Sequence, residues 1–491
     1  MPASGARRYG RGFAIGALLA AVVFAWMLTD GSFDPGHRVP FSGNFYDVQA
    51  HEILHGKLAM PASVLGIEGY EHNGRSYMYF GPVPALLRLP TAAVTDSLDG
   101  RTGVASMLFA FAVAMTALGR IGWRVRRWVS GDAPVGTLDE VLAGLAAFVL
   151  GTGTTLVFLG VGQYVYHEAI LWGVALAFAA FDAILAWIER PRPKVLVVAA
   201  IVTALALSSR LALGLAPAVA LGLLAVAVGG AQAWPRARRA AARLGLTTQG
   251  LGWSTAGWLL AAATIPLAIY AAINVAKFGT LFSVPYDHQA ANALVPDRRA
   301  ILAANHGTLL NVRALPTNLV QYLRPDAFRL DGAWPWVRLP TSRPHVFGTL
   351  RYDMLDFTSS VTAAMPVFVV LAVGGLVAVV RSHARTTTVN VSSLGVPIVG
   401  AACAAVPSLV FVYITERYTA DFLPVLVLPA FAGLYAFVRW ARSPGAKRGL
   451  VVASVAVLGA LALWGCVANV SIARDYQLGR EQVKTFNGST R

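Results

Sequence analysis

The sequence predicts an all-α polytopic membrane protein with about eleven transmembrane helices, each near the roughly 20 residues that a bilayer demands. Three observations carry that prediction. Apolar residues (AVILMFWYC) form 56% of the 491-residue chain and charged residues only 13%, about half the charged share of a soluble domain. Mean hydropathy is +0.59, and apolar runs of spanning length recur from end to end. Basic residues also crowd into the short connections on one side. This composition excludes intrinsic disorder, collagen-like repeats and a secreted disulfide scaffold.

The expected spans lie near 12–29, 102–121, 140–159, 168–188, 194–209, 211–229, 255–276, 361–380, 393–414, 420–438 and 449–471. The first follows Arg7, Arg8 and Arg11 and lacks a clean small-residue cleavage site, so it is expected to stay as an anchor. The fifth ends in Ser208-Ser209-Arg210, which would let the fifth and sixth form one broken hairpin. Both cysteines, Cys403 and Cys466, fall inside apolar spans, where no disulfide is expected.

A net charge of +16 would suggest nucleic acid in a soluble protein. Here the cations fall on the side of the N-terminus: Arg120/Arg124/Arg126/Arg127, Arg190/Arg192/Lys194, Arg236/Arg238/Arg239/Arg243, Arg381/Arg385 and Arg439/Arg442/Lys447/Arg448. Most acids fall on the other side. This asymmetry predicts a cytoplasmic N-terminus and needs no nucleic-acid partner. Arginine far outnumbers lysine, and Ala and Gly are abundant, a GC-rich coding bias that predicts a bacterial plasma membrane protein.

The chain reads as a single transmembrane domain, 1–491, with two large outward-facing loops carrying interfacial helices, 30–101 and 277–360. Both are too long to be connectors. The inner loops are short, and no GxxxxGK[ST] is present, so no nucleotide partner is expected. The halves do not look like inverted copies, which weighs against a secondary transporter. The chemistry is therefore expected on the outer loops.

In the first loop, helical periodicity runs from Tyr46 to Leu58 with Gly56 as a stop, too short to span and suited to the interface. Asp47, His51 and His55 share one face. A hairpin is expected over Gly69–Tyr79 around Asn73-Gly74, then a second amphipathic segment, Ala85–Val94, opened by Pro82 and Pro84. His51-Glu52-Ile53-Leu54-His55 matches HExxH, in which two imidazoles one turn apart hold zinc and Glu acts as base. Only Glu68, Glu71 and His72 offer a third ligand nearby. The plainer reading is the solvated polar face of an interfacial helix.

Charges that border spans are candidate functional groups. Tyr166-His167-Glu168, Arg210 and Glu416-Arg417-Tyr418 with Asp421 all fall on the outer side. Arginine presents a planar fork of donors suited to phosphate. The alternative is structural pairing, of Arg417 with Glu416 or Asp421 and of Arg210 with Glu168. Lys277 and Arg88 are further phosphate candidates, or else snorkelling anchors. The second loop has helix-like patches at Arg298–Ala304 and Leu309–Leu323 and an aromatic end, Trp334-Pro335-Trp336. It would serve as a lid or as a membrane-resting cap.

Taken together, the first loop resembles the GT-C superfamily of integral-membrane glycosyltransferases, of the protein O-mannosyltransferase and aminoarabinose transferase type. Ala50-His51-Glu52-Ile53-Leu54-His55-Gly56 is similar to the superfamily's Ala-Arg-x-Met-Leu-x-x-Gly element. Tyr79-Phe80-Gly81-Pro82-Val83-Pro84-Ala85-Leu86 is similar to its Tyr-Phe-x-Lys-Pro-Pro-Leu. The chain departs from the pattern at the Asp-Glu pair, since Val48 follows Asp47, and Asp47 lies closer to the glycine. The resemblance implies a GT-C-like fold and transfer of a sugar from a polyprenyl-phosphate donor to a lipid, glycan or protein acceptor of the envelope. It also implies no cofactor, although Asp47, His51 and His55 could hold a divalent metal. Asp47 would be the catalytic base, with Asp34 in reserve; Arg417, Arg210, Lys277 and Arg88 would bind the donor phosphate. Tyr46, His51, Glu52, Tyr79, His167, Glu168 and Tyr418 would line the substrate site. The alternatives are a transporter or flippase of lipid-linked sugars and an HExxH metalloprotease.

Overall fold

The computed structural model describes residues 3–488 apart from 40, 132, 244–245, 247–249, 295 and 383–389. Arg385, one of the expected inner cations, lies outside the described residues. Among the described residues, seven helices are long and apolar enough to cross a membrane, so the chain is a helical multi-pass membrane protein. They are α1 (Ala3–Leu28), α4 (Gly103–Ser130), α6 (Val165–Glu189), α8 (Leu211–Ala233), α9 (Trp253–Phe278), α14 (Leu423–Ala441, extended by a 3₁₀ turn from Glu416) and α15 (Arg448–Gly488). Between them run shorter helices: α2 (Phe45–Leu54), α3 (Val83–Ala92), α5 (Thr137–Thr152), α7 (Pro193–Leu207), α10 (Pro296–Ala304), α11 (Leu315–Leu323), α12 (Pro366–Arg381) and α13 (Gly395–Ala402).

Three apolar runs that read as continuous spans are broken. The run 140–159 stops at Thr152, and Gly153 separates it from a short helix, Thr155–Leu159. Pro366 restarts the chain after the four-residue helix Val361–Ala364. The run 393–414 ends α13 at Ala402, turns, and finishes as strand β4 (Tyr413–Ile414). In each case a glycine or a proline removes the backbone order that a hydropathy window cannot see.

Helix α6 is apolar along most of its length and is buried nearly throughout, wrapped by α4, α7 and α8. Other helices meet through small residues. A Cβ at Gly16 of α1 would overlap the Gly144 carbonyl of α5, and one at Gly433 of α14 would overlap the Leu371 carbonyl of α12. Backbones that approach so closely exchange side-chain bulk for van der Waals contact, the dominant attraction between helices in lipid.

The first loop folds onto the start of α6. Helices α2 and α3 pack together, and Phe45, Tyr46, Ala50, Met78 and Phe80 form one cluster with Val165 and Ala169. Helix α2 ends a turn earlier than its periodicity suggested, because Gly56 takes a left-handed conformation (φ 71°). Strands β1 (Gly69–His72) and β2 (Arg75–Met78) pair antiparallel across Asn73 and Gly74, both at positive φ.

The second loop is sewn to the segment before α14. Strand β3 (Met354–Leu355) runs parallel to β4. The Asn318 amide donates to the carbonyls of Ser408, Leu409 and Phe411 (3.1, 3.1 and 2.9 Å), and the Val412 N–H donates to Leu309 O (2.9 Å). The two loops also join each other, through Tyr70 Oη donating to Gln289 Oε1 (3.0 Å) and the Ala290 N–H donating to Gly69 O (2.9 Å).

Replacing Gly433 with Val should therefore force α12 and α14 apart and lower stability by about 1–3 kcal/mol, the usual range for overpacking. Thermal unfolding in detergent, followed by tryptophan fluorescence, measures it. An unchanged midpoint would mean that these two helices do not touch at Gly433.

Candidate functional site

A cavity of about 1040 Å³ lies between the two loops, where α6 and α8 begin and α7 and α9 end. The basic connections 190–192 and 235–243 lie at the opposite helix ends. Its wall includes Glu68, Tyr166, Arg210, Tyr413, Arg417 and Tyr418. The backbone at Gly81 presses against the carbonyl of Ser208, where a Cβ would overlap it, so Tyr79 and Phe80 are held against the α7–α8 junction. Buried Lys277 donates to Phe80 O at 3.0 Å and secures the same strand of chain.

Two arginines flank one tyrosine. The Cζ atoms of Arg210 and Arg417 stand 4.9 and 5.3 Å from the Tyr418 ring centroid. Their charges are handled differently. Arg210 donates Nε and Nη2 to the two oxygens of Asp421 (2.9 and 2.7 Å), and the Ser408 hydroxyl completes that carboxylate. Arg417 has no carboxylate within ion-pair distance among the described residues. Its guanidinium rests over the rings of Tyr166, Tyr413 and Tyr418, and it donates to Thr415 Oγ1 (3.2 Å) and Tyr413 Oη (3.4 Å). The pairings expected from sequence proximity do not form. Glu416 instead accepts the Ser359 N–H at 2.6 Å, and Glu168 serves Arg88.

Half-buried Glu68 stands across from Arg417, on a 3₁₀ turn between Gly66 and β1. Its Oε1 accepts the Tyr166 hydroxyl at 2.9 Å. Burial raises its carboxyl above the usual carboxylate range, against the opposing pull of the Tyr166 hydrogen bond and the charge of Arg417. Asp353 pairs with Arg298 at 3.2 Å elsewhere on the wall, where Asp356 also lies.

Asp47, Arg88 and Glu168 lie outside this cavity, in a cluster of their own. They are 2%, 4% and 1% exposed. Arg88 donates Nη1 and Nη2 to Glu168 (2.7 and 3.0 Å), and its Nε lies 3.0 Å from Asp47 Oδ1. Asp47 also accepts the Thr102 hydroxyl and the Gly100 N–H (3.0 Å for the latter). Tyr46 covers Arg88, with its ring centroid 5.4 Å from Cζ.

The remaining sequence candidates scatter. Asp34 is exposed and accepts the Gly36 N–H in a turn. His51 Nε2 lies 3.1 Å from Asp99, His55 Nδ1 donates to the His51 carbonyl (2.8 Å), and Glu52 lies 3.7 Å from Lys57. Among the described residues, no three His, Cys, Asp or Glu side chains converge as a metal would require. His167 packs among the rings of Phe158, Tyr164 and Tyr476. Only Tyr79, Arg210, Arg417 and Tyr418 of the candidates line the cavity.

The sequence reading gave Glu68 no role beyond a spare zinc ligand and passed over Tyr413, Arg298 and Asp353. Its only local sign was an acid set between two glycines, Gly66-Ile67-Glu68-Gly69. No family model matches the chain, and no curated protein is significantly similar to it.

Arg88→Ala should leave two carboxylates buried without a cation and lower stability by about 3–5 kcal/mol. Burial already raises the Asp47 carboxyl above its ordinary range, with Arg88 opposing. Without Arg88 it rises further, so the folded variant keeps a proton that the unfolded chain releases. Stability of the variant should then be greatest below the ordinary carboxylate pKa of about 4 and fall as pH climbs through the raised value. Melting curves between pH 4 and 8 test both the size and the sign.

Proposed function

We propose that the chain is an outward-facing, GT-C-type glycosyltransferase that moves a sugar from a polyprenyl-phosphate donor to an envelope acceptor. The observation that carries this reading is Arg417, a guanidinium in the wall of a large cavity with no carboxylate within ion-pair distance among the described residues. A charge withdrawn from water needs a counter-charge, and the fork of a guanidinium fits a phosphate. The tyrosines around it offer flat apolar faces and hydroxyls suited to a sugar ring. The lipid tail would lie along the apolar helices beside the cavity mouth.

In this reading the cavity end is the outer side, because the arginine-rich connections lie at the other end and belong in the cytoplasm. The shorter helices α7 and α12 and the broken runs would complete about eleven crossings. A carrier of lipid-linked sugars is the second reading, since a cation beside a cavity also suits a translocation path. The stitching of both loops to each other and to 408–416 favours an enzyme, because a carrier must reopen that end.

Transfer is tested with purified protein in detergent, radiolabelled polyprenyl-phosphate mannose, glucose and arabinose, and a membrane extract as acceptor. A new labelled glycoconjugate supports the enzyme. Labelled lipid that crosses vesicles without a new glycosidic product overturns it in favour of the carrier. Arg417→Ala should weaken binding of polyprenyl phosphate by one to two orders of magnitude, the equivalent of about 1.5–3 kcal/mol for a charge-assisted contact. Arg417→Lys should lose less, keeping the charge but not the fork. Lowered thermal stability with unchanged binding would make Arg417 a structural residue.

A further inference from the structure

We infer that Glu68 is the general base of this transfer, and that Asp47 instead holds the first loop in place. The assignment rests on the transferase reading above.

Elimination among the acids comes first. Asp47 and Glu168 are committed to Arg88, Asp421 to Arg210, and Asp353 to Arg298. Glu416 is buried behind the Ser359 N–H and is not part of the cavity wall. Asp287, also in the wall, is exposed and lies 3.6 Å from the neighbouring His288. Glu68 and Asp356 remain as wall carboxylates without an ion-pair partner among the described residues. Only Glu68 is joined to the phosphate-binding group.

The join is Tyr166. Its ring centroid lies 5.0 Å from Arg417 Cζ, and its hydroxyl donates to Glu68 Oε1 at 2.9 Å. The cation therefore lies over the ring of the same tyrosine whose hydroxyl holds the carboxylate, so both groups face one part of the cavity. With the donor phosphate on Arg417, the anomeric carbon would face the carboxylate side, where an acceptor hydroxyl must approach. Holding both partners in that order removes most of the entropic barrier of a bimolecular step.

The step balances. The acceptor oxygen gives its proton to Glu68 while it forms the bond to the anomeric carbon. The bond from that carbon to the phosphate oxygen breaks, and its electron pair leaves on the polyprenyl phosphate. The leaving phosphate gains one negative charge, which Arg417 stabilises. The proton on Glu68 then passes to solvent. A carboxyl raised by burial is a stronger base than an exposed one, as this role requires.

The test uses the full chain in detergent with the three labelled donors above, in single-turnover mode. Glu68→Gln should slow transfer by about 10²–10⁴-fold while melting at the wild-type temperature. Glu68→Asp should recover part of the rate. In the wild type the rate should climb with pH through a limb above the ordinary carboxylate range, and Glu68→Gln should lack that limb. A second readout needs no turnover: removing a negative charge near the phosphate should tighten binding of sugar-free polyprenyl phosphate by about fivefold in Glu68→Gln. If the wild type transfers and Glu68→Gln matches it, Glu68 is not the base. Should a folded Asp47→Asn be inactive beside an active Glu68→Gln, the role returns to Asp47. If the wild type neither binds polyprenyl phosphate nor transfers any of the sugars, the transferase reading falls, and Glu68 with it.

Discussion

Arg88, in α3, joins three further helices through one buried polar cluster. Its guanidinium spans from Glu168, in the first turn of α6, to Asp47 in α2, and Thr102 at the head of α4 closes the set. The three charged groups are almost wholly withdrawn from solvent, so separating either ion pair would strand a charge at a cost of several kcal/mol. The first large loop is seated by that requirement, and the turn carrying Glu68 and the stretch through Gly81 are seated with it. In a small hydrophobic cluster such as that of Phe45, Met78 and Phe80, several registers would bury similar area. The ion cluster admits one.

The same physics explains why Arg417 stands apart. Its neighbours among the described residues have carboxylates: Arg88 has two, and Arg210 and Arg298 have one each. Arg417 has tyrosine faces and hydroxyls, which soften the desolvation of a cation without neutralising it. In the proposed reading this arrangement is primed for an anion, because the protein supplies orientation and leaves the counter-charge to the ligand. The neighbouring pair of Arg210 and Asp421 keeps the local charge low and fixes Tyr418 between the two guanidiniums.

The second loop contributes through backbone order. Its strand β3 lies parallel to β4, and Asn318 donates to the carbonyls of Ser408, Leu409 and Phe411 in the turn before β4. Those carbonyls would otherwise be unpaired beside an apolar environment, where each would be costly. Residues 413–418, which carry three of the cavity's side chains, are thus held from both sides.

Composition and periodicity by themselves determined the membrane environment, the helical class, the asymmetry of basic connections and the short first-loop helix with its Asn73-Gly74 hairpin. These follow from local chemistry: hydropathy over a window, turn residues that tolerate positive φ, and the cost of moving arginine across a bilayer. The breaks at Gly153 and Pro366 were visible as residues but not as breaks, because a hydropathy window averages over them. Which acid meets which base was beyond the sequence altogether. Asp47 stood on the expected face of the expected helix, yet Arg88, forty-one residues on, claims it. Glu68 stood in an unremarked glycine turn, and Tyr166 from another helix sets it beside Arg417. Ion pairs in a low-dielectric interior depend on distances of a few ångströms between elements distant in the chain, and only the packed bundle decides those.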